Sequence, residues 1–264
     1  MQIVTQDQPF FPKGIQEKFR FIQGMGFDGF EMDGKLLVNN LEEVQRAIAA
    51  TGLPVASACG GYSGWIGDFD EEKRLNGLAE IAGILRALQE VGGKGMVAPA
   101  AWGMFSYRLP PMVPPRNKEA DKKAVTESLG FLNQIAEKTE TLLFLEPLNR
   151  YEDHMINTVA QARSYIDENG FKQIKVVGDV YHMNIEEDHT AESLFHNRDI
   201  IRHIHLADNQ RYQPGSGSID FKELFGVLKK MQYEGLLTLE CRVKGENLKQ
   251  AYAESLHFLK ELEN

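Results

Sequence analysis

Only two cysteines, Cys59 and Cys241, occur in the 264 residues. So few exclude a disulfide framework and point to reduced thiols in a cytoplasmic protein. No run of about 18 apolar residues occurs, so no membrane-spanning helix is predicted. The first ten residues, MQIVTQDQPF, lack the basic-then-apolar order of a secretory signal. Basic side chains are outnumbered 29 to 38, for a net charge of −9. That balance argues against nucleic acid as a partner, because phosphate backbones need a basic face. A small anionic substrate held by a few local arginines stays open. No Gly-x-Gly-x-x-Gly follows the first apolar run, which weakens a dinucleotide-binding reading.

What remains is the ordinary composition of a globular protein, 42% hydrophobic and 25% charged. Short apolar runs alternate with amphipathic stretches from end to end. Strands are predicted at 2–5, 29–32, 54–59, 95–98, 142–146, 175–179, 203–206 and 236–240. Between them lie helix-period segments such as LEEVQRAIAATG, DEEKRLNGLAEIAGILRALQEVGG, AVTESLGFLNQIAEK, TVAQARSYIDENG, DFKELFGVLKKM and NLKQAYAESLHFLKELE. Asn157 or Thr158, Asp220 and Asn247 are candidate N-caps. Strands too apolar to alternate suggest a parallel sheet covered by helices. Eight strand–helix units in this length predict one α/β domain over 1–264, a (β/α)8 TIM barrel. The proline-rich PAAWGMFSYRLPPMVPPRNKEA and the glycine-rich GGYSGWIGDFD read as long loops over the barrel mouth.

In such a barrel the C-terminal strand ends meet at one mouth. LLFLE ends in Glu146, KVVGD in Asp179, HIHLAD carries His205, and LLTLE ends in Glu240. The separations of 33, 26 and 35 residues are each close to one βα unit. Four successive strands thus offer three carboxylates and an imidazole to one small space. Crowded carboxylates resist ionisation unless a cation neutralises them. Mostly oxygen ligands with one imidazole suit Mn²⁺ or Mg²⁺, with Co²⁺ possible. Taken singly, each residue has a plainer reading, as a helix cap, a loop ion pair or a hydrogen-bonded core histidine. His203 lies one layer below His205 and reads as core or as support for it. His182, three residues past Asp179, is expected on a rim loop. Glu152 and Arg211 are loop residues whose plain reading is solvated surface. GSGS, before the seventh helix, is a weak phosphate-binding signal.

The motifs LEPLNRYE, DVYHMNIEE, HIH, the Arg–Tyr–Gln–PGSGSIDF loop and the last strand-end glutamate resemble the xylose-isomerase-like barrel superfamily, especially its ketose 3-epimerases of the D-tagatose and D-psicose type. These motifs cover residues 142 to 240; the first half fits as a generic barrel. The resemblance implies one divalent metal, Mn²⁺ with Mg²⁺ or Co²⁺ as substitutes, on Glu146, Asp179, His205 and Glu240. It implies that Glu146 and Glu240 double as the proton-transfer pair, and that Glu152, His182 and Arg211 contact the sugar. It also implies a dimer or tetramer. The expected reaction is inversion at C3 of a ketose or ketose phosphate through a metal-stabilised enediolate.

Two departures from the pattern bear on the substrate. Tyr212 follows the loop arginine where the family has glycine, and Cys241–Arg242 stand where Pro–Phe is common. Arg242 is positioned in sequence to meet a phosphate at the far end of a substrate. Cys59 and Trp65 could line that end, but the default reading is a core thiol and a buried loop aromatic. Four other activities are open. A hydroxypyruvate or aldose–ketose isomerase and an inosose-dehydratase-type lyase use similar chemistry. A three-zinc DNA-repair endonuclease needs histidines in the first half, yet all seven lie at or after His154. A non-catalytic carbohydrate-binding protein is the fourth.

Overall fold

The eight apolar runs become the staves of one closed parallel barrel. The computed structural model describes residues 1–106 and 112–263. Its strands are β1 (Gln2–Thr5), β2 (Gly29–Met32), β3 (Val55–Cys59), β4 (Gly95–Pro99), β5 (Leu142–Glu146), β6 (Ile174–Asp179), β7 (Ile201–Leu206) and β8 (Leu236–Leu239). Each pairs with the next, and β8 closes on β1, with Gln2 opposite Leu236 and Thr5 opposite Leu239. The fold is therefore a (β/α)8 TIM barrel. Strands with nearly every residue buried explain the apolar runs without alternation: one face packs on helices, the other fills the barrel.

The outer layer holds α1 (Ile15–Met25), α2 (Gly34–Asn39), α3 (Leu41–Thr51), α4 (Glu71–Val91) and α5 (Lys118–Thr139). It continues with α6 (Val159–Asn169), α7 (Val180–Glu186), α8 (Thr190–His196), α9 (Phe221–Lys230) and α10 (Leu248–Glu263). Start signals act as the sequence suggests. The Asp70 carboxylate accepts from the Glu72 and Lys73 amides, and Asp220 accepts from Glu223. Thr158, not Asn157, caps α6, through a capping box with Gln161. Asn247 accepts from the Gln250 amide at the start of α10. Three helices without a sequence signal, α2, α7 and α8, have six or seven residues, too few to display a period. The fourth, α1, starts after Gly14, which offers no capping side chain. Among the described residues no helix is long and apolar enough to cross a membrane.

Two loops shape the mouth. The β3–α4 loop packs so closely that a Cβ on Gly64 (φ +95°) would lie 1.9 Å from the Lys73 carbonyl oxygen, which only glycine permits. Arg116, just before α5, donates to the Gly67 and Asp68 carbonyls and fastens the β4–α5 loop to this one. The Gly103 amide donates to the Glu152 carbonyl and ties it to the β5–α6 loop as well. The middle of the proline-rich stretch, 107–111, lies outside the described residues.

Candidate active site

The barrel register brings the four strand-end residues together. Asp179 lies beside His205 across the β6–β7 pair, and the Glu240 amide donates to the Leu206 carbonyl at the end of β7. His205 Nδ1 lies 2.8 Å from Glu146 Oε1, 2.6 Å from Glu240 Oε2 and 3.6 Å from Asp179 Oδ2. One ligand atom from each of the four falls within 4.8 Å of the others. Among the described residues one other such group exists, Glu31, His203 and His205, and it shares His205. A donor set of three carboxylates and one imidazole, converging from four strands, fits an oxygen-preferring divalent ion and would leave coordination positions for substrate.

The electrostatics of the cluster are those of crowded, buried acids. Burial alone lifts Glu146, and the Glu240 and Asp179 charges add to it; the net pKa is raised despite His205. Burial also disfavours ionised Asp179, but the Arg211 guanidinium reverses this and holds the acid well below its ordinary value. Glu240 feels the same burial and is lowered by His205 and Arg211. Burial pushes the His205 imidazolium down; Glu240, Glu31 and Glu146 together push it well up. Each charge is tolerated only through an opposite one within hydrogen-bond reach.

Arg211 is part of the site, not of the solvated surface. Its guanidinium sits 2.6 Å from both Asp179 Oδ2 and Glu240 Oε2 and lies over the Tyr181 ring. Its backbone takes the left-handed conformation, φ +60°, uncommon for a branched chain end of this size. Asp208 makes that possible. Its carboxylate accepts from the amides of Asn209, Gly215, Gly217 and Ile219 and winds the loop around itself. The GSGS amides are thus all committed, those of Gly215 and Gly217 to this carboxylate, that of Ser218 to the Asn209 side chain and that of Ser216 to the Gln213 carbonyl; a phosphate there would meet a like charge, and the sequence signal for phosphate is corrected. A Cβ on Gly217 would fall 2.3 Å from Asp208 Oδ1 and 2.2 Å from Asn209 Oδ1. Gly217→Ala is therefore expected to cost on the order of 2–3 kcal/mol and lower the melting temperature by about 5–10 °C. Calorimetry checks this, and an unchanged melting temperature contradicts it.

Arg242 is also corrected. Its guanidinium stacks on Tyr212, which Lys244 covers as well, and donates to the Gln210 carbonyl. It does not line the mouth cavity. Tyr212, in the place of a family glycine, occupies the side chain that sequence offered to a phosphate.

That cavity, of about 550 Å³, is lined by Glu146, Glu152, His182, Arg211 and Glu240 on one side and by Cys59, Tyr62, Trp65 and Trp102 on another. Cys59 and Trp65 are thus wall residues, not core. Burial lifts the Cys59 thiol well above its usual pKa, and the nearby carboxylates add to it, so it is a neutral group. The rings of Tyr62, Trp65 and Trp102 meet edge to face in sequence, at 5.4 and 5.9 Å.

His182 is not on a loop. It lies in the first turn of α7, buried, because Asp179 both faces the site and caps that helix by accepting from the His182 amide. The Asn149 amide and side chain lie 3.2 and 2.8 Å from His182 Nδ1; the amide must donate, so Nδ1 accepts and Nε2 carries the proton. Asn149 also donates to Glu152, whose other oxygen accepts from the Trp102 indole. Glu152 is thus aimed by two partners and not a freely solvated acid.

Sequence reading missed Asn149, Asp208 and Glu31, and in the cavity wall Tyr62 and Trp102. Glu31 is a fully buried carboxylate in the apolar strand GFEM, and a charge at such a position was the available signal. Burial disfavours its ionised form, but His203 and His205 overcome this and keep its pKa well below the ordinary value.

Comparisons with known proteins place the chain in a family. The model of the xylose isomerase-like TIM barrel family matches residues 19–262. A 3-dehydro-D-guloside 4-epimerase of Escherichia coli K12 is 60% identical over 260 residues, 98% of this chain and 99% of its own. A D-psicose 3-epimerase of Enterocloster bolteae is 33% identical over 138 residues, 52% of this chain and 46% of its own. The apo crystal structure of a 3-keto-D-glucoside 4-epimerase from E. coli matches with a TM-score of 0.97 at 60% identity, over 99% of both chains. A D-psicose 3-epimerase from Clostridium cellulolyticum shares the fold, with a TM-score of 0.86 at 20% identity over the whole of both chains. The chain belongs to the xylose isomerase-like TIM barrel family, and within it is a sugar epimerase, an isomerase-class enzyme related to the ketose 3-epimerases.

Proposed function

We propose that this enzyme is a divalent-metal-dependent epimerase that inverts carbon 4 of a 3-keto-hexoside. The observation that carries the reading is the convergence of Glu146, Asp179, His205 and Glu240 at one point in the barrel mouth. Sequence motifs point to C3 of a ketose. The position moves to C4 of a keto-glycoside because similarity to the E. coli 4-epimerase spans nearly the full chain, whereas similarity to the D-psicose 3-epimerase spans half. The chemistry is unchanged, since in both cases the inverted carbon lies next to a ketone.

Glu146, Asp179, His205 and Glu240 would hold the ion, Mn²⁺ with Mg²⁺ or Co²⁺ as substitutes. When bound, such an ion polarises the ketone oxygen and makes the neighbouring C–H acidic. One glutamate of the Glu146/Glu240 pair takes the C4 proton as the C–H bond breaks and its electron pair moves toward the ketone. The other, protonated beforehand, returns a proton to the opposite face. Strands β5 and β8 are separated by β6 and β7 in the ring, so the two acids reach the centre from different sides. Glu152, His182 and Arg211 bind sugar oxygens. The Tyr62–Trp65–Trp102 wall meets the apolar face of an intact sugar ring. The same reading has the enzyme in the cytoplasm as a homo-oligomer.

Proton NMR of a 3-keto-glucoside turned over in D2O tests this. Deuterium is expected at C4, with the C4 epimer appearing. Label at C3 of D-psicose or D-tagatose and none at C4 of the glycoside returns the reaction to a ketose 3-epimerase. Label at C1 or C2 marks an aldose–ketose isomerase, and loss of water a dehydratase.

A further inference from the structure

We infer that Glu31 is a positioning residue that fixes which nitrogen of His205 faces the other three acids. The inference rests on the metal-site reading and extends it beyond the mouth, to the layer of the barrel beneath. Glu31 sits on β2, across the barrel from β6 and β7. Its Oε1 accepts from Gln6 Nε2 at 3.0 Å and its Oε2 from Ser57 Oγ at 2.6 Å. With a donor already on each oxygen, this carboxylate is an acceptor on both sides. His205 Nε2 lies 2.9 Å from Oε1, so the proton of the imidazole belongs on Nε2. That leaves Nδ1 facing Glu146, Glu240 and Asp179, with oxygens 2.8, 2.6 and 3.6 Å away, so the imidazolium proton there is the one given up when a cation is held by the same acids.

A carboxylate behind a ligating imidazole holds the ring in plane and raises its basicity; losing such a partner lowers metal affinity by about ten- to a hundredfold. His203 shares the arrangement. Its Nε2 is 2.9 Å from Glu31 Oε2 but off the hydrogen-bond direction, and its ring packs edge-on against His205 at 4.7 Å. It therefore acts as a lateral stop for the His205 ring. The trio of Glu31, His203 and His205 does not form a cation site of its own, because an ion there would face the Gln6 and Ser57 donors already on Glu31.

The test is Mn²⁺ affinity without substrate, read from the electron paramagnetic resonance of free Mn²⁺ in titrations of wild type and Glu31→Gln. Glutamine keeps the size and one acceptor but removes the charge. Wild type is expected to bind one Mn²⁺ per chain, and Glu31→Gln to bind it about tenfold or more weakly with unchanged circular dichroism. If Glu31→Gln does not fold, Ser57→Ala, which deletes only the hydrogen bond to Oε2, is expected to weaken binding about threefold. A variant that folds and binds Mn²⁺ as tightly as wild type overturns the role of Glu31 while leaving the metal site standing. Wild type that binds no Mn²⁺ overturns both.

Discussion

Glu146→Gln and Glu240→Gln are each expected to lower kcat by about 10³-fold or more while the barrel stays folded. Glutamine matches glutamate in volume but cannot accept a proton. On the proposed reading each substitution also replaces a charged ligand atom with a neutral one, so proton transfer and cation binding are expected to fall together. The fold should not suffer. Glu146 is 4% exposed among like charges, and its pKa is raised because ionisation there is unfavourable. Removing that charge relieves repulsion, so Glu146→Gln is expected to melt at or above the wild-type temperature. Loss of activity through unfolding would do the reverse. If the two acids act as one unit, the double variant is little slower than either single one. Steady-state rates beside thermal melts decide this. Near-wild-type kcat in either variant removes that residue from proton transfer.

Legibility in the sequence followed the length and context of each signal. Strand cores were readable because burial on both faces leaves uninterrupted apolar runs, and predicted and observed ends differ by at most two residues. Long helices announced themselves by period and caps. Helices α2, α7 and α8 did not, for they are single excursions held by the barrel rather than by their own pattern, and α1, though 11 residues long, did not because Gly14 offers no capping side chain at its start. His182 was assigned to a loop for this reason: nothing local shows that Asp179 starts a helix.

The four converging residues were visible because they stand at strand ends, where topology alone dictates who meets whom. Side chains that act through tertiary contacts were not. Asp208 is an ordinary loop acid until the four amides it gathers are seen. Asn149 matters through His182, thirty-three residues away. Glu31 pairs with a histidine 174 residues further on. The GSGS stretch misled because its composition suits an anion, while its amides are already taken within the loop by Asp208, Asn209 and Gln213.

Removal of divalent metal carries the second large effect. Three carboxylates around one imidazole are too many acids for His205 and Arg211 to balance, and a ketone beside the scissile C–H gains acidity only if its oxygen meets positive charge. Dialysis against EDTA is expected to cut turnover by about 10³-fold or more, a barrier increase of about 4 kcal/mol. One Mn²⁺ per chain should restore it, and saturating Mn²⁺ at about 100 times Kd should add about 2.7 kcal/mol of stability. Na⁺ or K⁺ should restore neither. The decisive measurement is epimerisation of a keto-glycoside by protein shown metal-free by mass spectrometry, before and after stoichiometric Mn²⁺. The expected result is near silence followed by full recovery; undiminished turnover by the metal-free protein would contradict the account.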